Sequence, residues 1–78
     1  MNYRLSDHAK KRLQQRKIKL EWMEAALATP DRIESDPEDA TLIHALLDIP
    51  EKGFKRLRVI YNETKDPITI VTAYFDWR

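Results

Sequence analysis

The spacing of the hydrophobic residues changes at Thr29-Pro30, and this change limits the chain to folds that combine helices with strands. Before the proline, apolar residues recur every three or four positions, as on one face of a helix. After it, apolar and polar residues alternate in two long stretches, which is typical of half-buried strands. A residue that precedes proline is disfavoured in the α region, so Thr29-Pro30 separates the two parts. The pattern predicts an α+β domain in which two N-terminal helices pack on a three- to four-stranded antiparallel sheet.

Two short helices are predicted in the first part. The first begins at Ser6, a good N-cap, and runs to Arg16 or Lys17, with Asp7 suited to the positive end of the helix dipole. The second spans Leu20–Ala28, where alanine and glutamate raise the helix propensity. Trp22 lies at the edge of its apolar face and is interpreted as a lid on the core.

Strands are predicted for the rest of the chain, because it is rich in β-branched and aromatic residues between turn signals. The segment before Pro50–Gly53, a predicted hairpin turn, is compatible with a strand, although its alanine and leucine content leaves a helix open. Asp36–Asp39 is predicted to be a solvated turn. The predicted strands are Arg32–Ser35, Ala40–Ile49, Phe54–Asn62 and Ile68–Trp77.

Strand alternation assigns side chains to the two faces of the sheet. One face would lie under the helices and the other would carry polar side chains. The predicted core is Leu13, Met23, Leu27, Leu57, Val59, Val71, Ala73 and Phe75.

The length of 78 residues predicts one domain, residues 1–78, with a small core. Lysine and arginine total 14 against 13 acidic residues, a net charge of +1 that argues against nonspecific coating of nucleic acid. The charges are segregated, however, since Arg4–Lys19 holds seven basic residues and Asp31–Asp39 five acidic ones.

Several classes of protein are disfavoured by what the sequence lacks. Without cysteine there is no disulfide framework and no thiolate metal site, and two histidines are too few for a convincing zinc site. No glycine-rich phosphate loop is present either. Taken together, these absences lead us to expect neither a metal nor a cofactor. The apolar runs are too short for a membrane span, and Met1–Leu5 has no apolar signal region, so we expect a cytoplasmic protein.

The first candidate site lies on the first helix, where His8, Arg12 and Arg16 follow one another at intervals of four residues. This spacing places them along one helix edge. An imidazole beside guanidinium groups can move a proton while the arginines hold a phosphate. A solvated basic edge is the alternative and requires no function.

The second candidate site lies on the polar face of the sheet, formed by Arg56, Arg58, Thr72 and Tyr74. Two arginines at alternating strand positions offer a cradle for phosphate, and tyrosine offers a stacking surface or a proton donor. An ordinary solvated sheet face is equally compatible. His44 can join this face, although a partly buried strand residue is the more common role.

The opening Ser6-Asp7-His8-Ala9-Lys10-Lys11-Arg12, continuing to Ile18, resembles a bacterial domain-of-unknown-function family that begins Ser-x-His-Ala-x-x-Arg-x-x-x-Arg-x-Ile. The likeness extends to the strands around Arg58 and Tyr74. That family is similar in layout to RelE-like and BrnT-like toxins, which implies an RNA-cleaving or RNA-binding role beside a small antitoxin.

On this basis we expect a metal-independent endoribonuclease toxin that acts on RNA. The expected catalytic residues are His8, Arg12, Arg58 and Tyr74, and the expected phosphate-binding residues are Arg16, Arg56 and Thr72. The expected partner is a small antitoxin, with a homodimer as a further possibility. The alternative is a non-catalytic binding or regulatory module that uses the same basic groove for a protein or nucleic-acid partner.

Overall fold

A computed structural model describes residues 2–76 of the chain. Two helices and five strands follow in the order β1, α1, α2, β2, β3, β4 and β5, with a short 3-10 turn before β4. The bounds are β1 Tyr3–Leu5, α1 Asp7–Gln15, α2 Leu20–Ala28, β2 Arg32–Ser35, β3 Leu42–Ile49, 3-10 turn Pro50–Lys52, β4 Lys55–Asn62 and β5 Ile68–Asp76. The fold class is therefore α+β, as the periodicity predicts.

The strands form one mixed sheet in the order β1-β5-β4-β3-β2. Strands β2 to β5 pair antiparallel, whereas β1 pairs parallel with β5, where Tyr3 lies opposite Ile68 and Leu5 opposite Ile70. The prediction of three or four antiparallel strands is thus one strand short. Strand β1 has only three residues, too few for an alternation pattern to appear, and it is a strand because β5 pairs with it.

The helices begin and end where local chemistry places them. The Ser6 hydroxyl accepts a hydrogen bond from the Ala9 amide at 3.0 Å, which is the N-cap of α1. Helix α2 ends at Ala28, with Thr29 as its C-cap before Pro30. Helix α1 packs on β5 and α2 packs on β3 and β4, so both cover the same face of the sheet.

The core between the helices and the sheet contains most of the predicted residues. Phe75 is only half-buried but packs against it. Val71 is wrongly predicted, because Ile70 is the buried residue there and Val71 is only half-buried. The β4–β5 register shifts between Ile60 and Tyr61, and such an irregularity exchanges the faces of the residues beyond it. The buried cluster comprises Ala9, Leu13, Ile18, Trp22, Met23, Ala26, Leu27, Ile49, Leu57, Val59, Ile70 and Ala73.

Several predicted bounds shift in the structure. The segment predicted from Ala40 is a strand from Leu42, not a helix, since it pairs on both sides. Phe54 belongs to the hairpin turn, with a φ of 61°, and β4 begins at Lys55. Trp77, the predicted end of the last strand, lies outside the described residues. No helix within residues 2–76 is long and apolar enough to cross a membrane.

Candidate functional site

The sheet face opposite the helices, called the outer face here, carries the polar side chains that the alternation pattern places together. Register aligns Arg58 with Leu46 on β3 and with Tyr74 on β5, and aligns His44 with Glu34 on β2. Arg58 is therefore central on the outer face. Around Arg58 the register places on this face Arg32, Glu34, His44, Leu46, Asp48, Arg56, Ile60, Thr72, Tyr74 and Asp76.

Arg58 is held by three side chains from the two neighbouring strands and the sheet edge. Its Nη2 and Nε donate to Asp76 Oδ2 at 2.7 and 3.1 Å. Its Nη1 donates to Glu34 Oε1 at 3.2 Å and to His44 Nδ1 at 2.7 Å. The side chain is only 15% exposed, so these charge-assisted bonds form away from bulk water, where they are strongest.

His44 is fixed in one tautomer by its two partners. Because a guanidinium only donates, Nδ1 accepts from Arg58, and Nε2 carries the proton that it donates to Asp36 Oδ1 at 2.7 Å. The imidazole is therefore neutral in this arrangement, and it is 7% exposed. Both ring nitrogens are engaged, so His44 orients Arg58 and has no free lone pair for a substrate proton.

Two ionisable groups of this network are shifted. Burial lowers the pKa of the Arg58 guanidinium, but the hydrogen bonds to Asp76 and Glu34 outweigh that effect and raise the pKa above its usual value. Hydrogen bonds from His44 and from the backbone amides of Glu38 and Asp39 hold the pKa of Asp36 below its usual value. Both groups are thus charged at neutral pH.

Leu46 shows how closely the network covers the sheet. It lies on the outer face, away from the helices, yet it is only 1% exposed. Arg58 and Arg32 are its cross-strand neighbours, and long arginine stems cover apolar surface while their charged ends stay at the periphery. The outer face is therefore closed around Arg58 and not an open cradle.

Arg16 joins α1 to the outer face. Its Nη1 donates to the Ala73 carbonyl at 2.8 Å, and its guanidinium carbon lies 5.8 Å from the centre of the Tyr74 ring. This distance is that of a cation–π contact. Arg16 thus brings the basic edge of α1 to the outer face. The Tyr74 hydroxyl makes no hydrogen bond with a described residue.

The other residues of the first candidate site stay on the helix. His8 is exposed and makes no hydrogen bond or ion pair within residues 2–76, while Arg12 donates to Gln15 Oε1 at 2.6 Å. No described contact joins either side chain to Arg58 or Tyr74. Of the helical stripe, only Arg16 meets the outer face.

The remaining residues of the second candidate site occupy its margins. Arg56 lies 4.0 Å from Asp48, measured from Nε to Oδ1. Thr72 lies opposite Ile60, half-buried and without a side-chain hydrogen bond to a described residue. The structure therefore groups Arg16, Arg58 and Tyr74, with Arg56 and Thr72 beside them.

The carboxylates around Arg58 and His44 are the part of the site that the sequence predictions missed. Asp36 was expected to lie in a solvated turn, but its Oδ1 accepts from His44 while its Oδ2 accepts from the Glu38 and Asp39 amides. The predicted turn is correct and the predicted role is wrong. The available signal was alternation, which places Glu34, His44 and Asp76 on the face of Arg58 once the register is known.

Metal-ligating groups do not gather within the described residues 2–76, where no three histidine or carboxylate side chains are placed to hold an ion.

Comparison with curated proteins gives no match, and comparison with solved structures gives none either. One protein-family model matches residues 5–75, which is nearly the whole chain. The chain therefore belongs to the family described as Domain of unknown function (DUF4258).

Proposed function

We propose that this chain is the toxin of a toxin–antitoxin pair and cleaves RNA as a metal-independent endoribonuclease. The supporting observation is the contact between Arg16 and Tyr74, where a guanidinium that can hold a phosphate lies 5.8 Å from a tyrosine ring. The Tyr74 hydroxyl, which makes no hydrogen bond with another described residue, can act as a proton donor. His8, Arg12 and Arg16 follow one another at intervals of four residues, so they share one edge of α1.

The proposed reaction is attack by the RNA 2′-hydroxyl on the neighbouring phosphate, with loss of the 5′-oxygen of the next nucleotide. A base removes the 2′-proton, an acid protonates the leaving oxygen, and cations stabilise the charge that builds on the phosphate. His8 is proposed as the base, Tyr74 as the acid, and Arg12 with Arg16 as the cations. None of these steps requires a metal ion.

Arg58 has a different part in this proposal from the one expected at first. Its guanidinium is occupied by Asp76, Glu34 and His44, so it cannot bind a phosphate without releasing one of them. We propose that it sets the position of Tyr74, its cross-strand neighbour, and thereby acts through that residue.

The proposed partner is a small antitoxin that binds at the outer edge of β5. Strand β1 pairs with β5 only as far as Ile70, and the Ala73 carbonyl beyond it accepts from the Arg16 side chain instead of from a strand. An added strand would extend the sheet at this edge. It would also displace Arg16 from Ala73 and so disturb the proposed site.

A toxin acting on cellular RNA would be located in the cytoplasm.

Growth arrest tests this proposal. Induction of the parent chain is expected to arrest its host, and co-expression of the small protein encoded by the adjacent reading frame is expected to relieve the arrest. The variant Tyr74→Phe, which keeps the ring under Arg16 and removes only the hydroxyl, is expected to be harmless. Arrest by Tyr74→Phe at the parent's level would remove Tyr74 from the mechanism.

The second candidate is a non-catalytic binding module, and the closed outer face favours it. Arg58 is satisfied within the protein, and the net charge is only +1. RNA or protein binding by a purified chain that leaves RNA intact under all conditions would support this alternative against the nuclease.

A further inference from the structure

Within residues 2–76, three cations lie over aromatic rings. Arg16 lies over Tyr74, Lys52 over Phe75 at 5.9 Å and Lys19 over Trp22 at 5.3 Å. The rings of Trp22 and Phe75 themselves meet edge to face, with centres 6.1 Å apart. The start of α2, the β3–β4 turn and Phe75 near the end of β5 therefore meet around Trp22, and this surface is called the aromatic end here. Tyr74 lies on the other face of the sheet.

The cations of this end are not neutralised within the described residues. Neither Lys19 nor Lys52 makes an ion pair with a carboxylate in residues 2–76. The nearby Glu51 carboxylate accepts from the Trp22 indole at 3.3 Å. The contrast with Arg58, which is fully paired, makes the aromatic end the better site for an external anion.

Phe54 adds an exposed ring two residues after Lys52. Its side chain contributes little to the core, since the residue is 65% exposed. Its backbone has a φ of 61°, a left-handed conformation that is unfavourable for a bulky residue and follows Gly53 at 65°. Strained residues that the fold does not need are often functional. A phenyl ring held out from a tight turn presents a face to which another planar group can stack.

The aromatic end thus offers an exposed ring that follows Lys52 in the β3–β4 turn, and two lysines that make no ion pair within the described residues. This combination matches single-stranded nucleic acid, in which phosphates and unstacked bases alternate. A duplex buries its base faces and could not use the ring of Phe54. We propose that the aromatic end binds single-stranded RNA, with a base stacked on Phe54 and the flanking phosphates near Lys19 and Lys52. The proposal rests on the proposed function in taking RNA as the ligand, and it adds where and in what form the RNA is bound.

Binding of a fluorescein-labelled single-stranded oligouridylate of about 12 nucleotides to the full chain tests this site. Phe54→Asn removes the ring, and asparagine tolerates the left-handed backbone, so the variant is expected to fold with an unchanged or higher melting temperature. Its affinity should fall about 5- to 100-fold, as for loss of a base-stacking ring, while Phe54→Tyr should restore it.

Charge is tested separately by salt dependence. Lys19→Gln and Lys52→Gln should each reduce the slope of log affinity against log salt by about 0.7, the value for one phosphate contact on a single strand. Lys10→Gln removes the same charge from an exposed position in α1 and should leave the slope unchanged. An RNA duplex of the same length should bind more weakly than the single strand.

The proposal is overturned if Phe54→Asn binds like the parent, if Lys10→Gln weakens binding as much as Lys52→Gln, or if the single strand does not bind at all. Its failure differs from failure of the nuclease. A parent that binds oligouridylate through Phe54 without cleaving RNA supports this site and refutes catalysis. A nuclease whose KM is unchanged in Phe54→Asn and Lys52→Gln supports catalysis and refutes this site.

Discussion

Arg58 and His44 are joined by one hydrogen bond, 2.7 Å from Nη1 to Nδ1, which links β4 to β3 across the outer face. The bond requires a neutral imidazole, because only an unprotonated Nδ1 can accept it. Asp36 completes the arrangement at 2.7 Å on the other side of the ring. A chain of alternating donors and acceptors thus stabilises the outer face. Removing one of its members should change the free energy of unfolding.

Loss of Arg58 should destabilise the domain. Arg58→Gln removes the guanidinium donor from Asp76, His44 Nδ1 and Glu34 Oε1, which we expect to lower the free energy of unfolding by about 1.5–3 kcal/mol. Arg32→Gln is the matched control, since that side chain is 65% exposed and its pair with Glu34 is a surface pair, worth about 0–1 kcal/mol. Urea denaturation measures both, and equal losses would show that the Arg58 network contributes no more than a surface pair.

Stability should depend on pH through Asp36. The folded protein holds its pKa below the usual 3.8, so the unfolded chain binds the proton first as pH falls. The stabilisation is complete above about pH 5 and is lost as pH falls below about 4. Asp39, which accepts from Thr41, behaves in the same direction.

The measurement is the free energy of unfolding of the parent and of Asp36→Asn between about pH 3 and pH 6. The parent should lose more stability than the variant on acidification, because only the parent has this carboxylate to protonate. Parallel curves would contradict the proposed hydrogen bond between Asp36 and His44.

The register shift in β5 predicts an asymmetry between two adjacent residues. Ile70→Ala should cost about 2–5 kcal/mol, since Ile70 is fully buried. A loss of that size is a large part of the roughly 4–12 kcal/mol expected for a domain of this length. Val71→Ala, at a half-buried position, should cost clearly less. Thermal and urea unfolding of the two variants compare them directly, and the reverse order would show that Val71 faces the core.

The same pair shows what the sequence can predict and what it cannot. Alternation places Leu57 and Val59 in the core correctly, because β4 is regular there. It fails at Ile70 because alternation assumes that each residue of β5 pairs with one residue of β4 without interruption. The register shift beside Ile60 breaks that pairing, and it depends on the hydrogen bonds between the two strands. Pairing between strands is a property of the whole sheet and leaves no local signature.

The candidate site likewise has a part that the sequence predicts and a part that it does not. Arg58 and Tyr74 are correctly assigned to one face, since alternation along each strand is enough for that. The pairing of Arg58 with Glu34 could not be predicted, because it depends on the order of strands that are distant in sequence. The meeting of Arg16 with Tyr74 needed the packing of α1 on β5.

The most direct test of the proposed ribonuclease activity is cleavage of a labelled single-stranded RNA by the purified chain, in the presence of a metal chelator. We expect the parent to cleave this RNA, and His8→Ala and Tyr74→Phe to lose about 10²- to 10⁴-fold of the rate, each folded as judged by circular dichroism. Arg12→Ala should also lose cleavage, whereas Lys10→Gln should retain it. Intact RNA after incubation with the parent would contradict the proposed ribonuclease activity, and full activity in folded His8→Ala would contradict the role of His8 as the base.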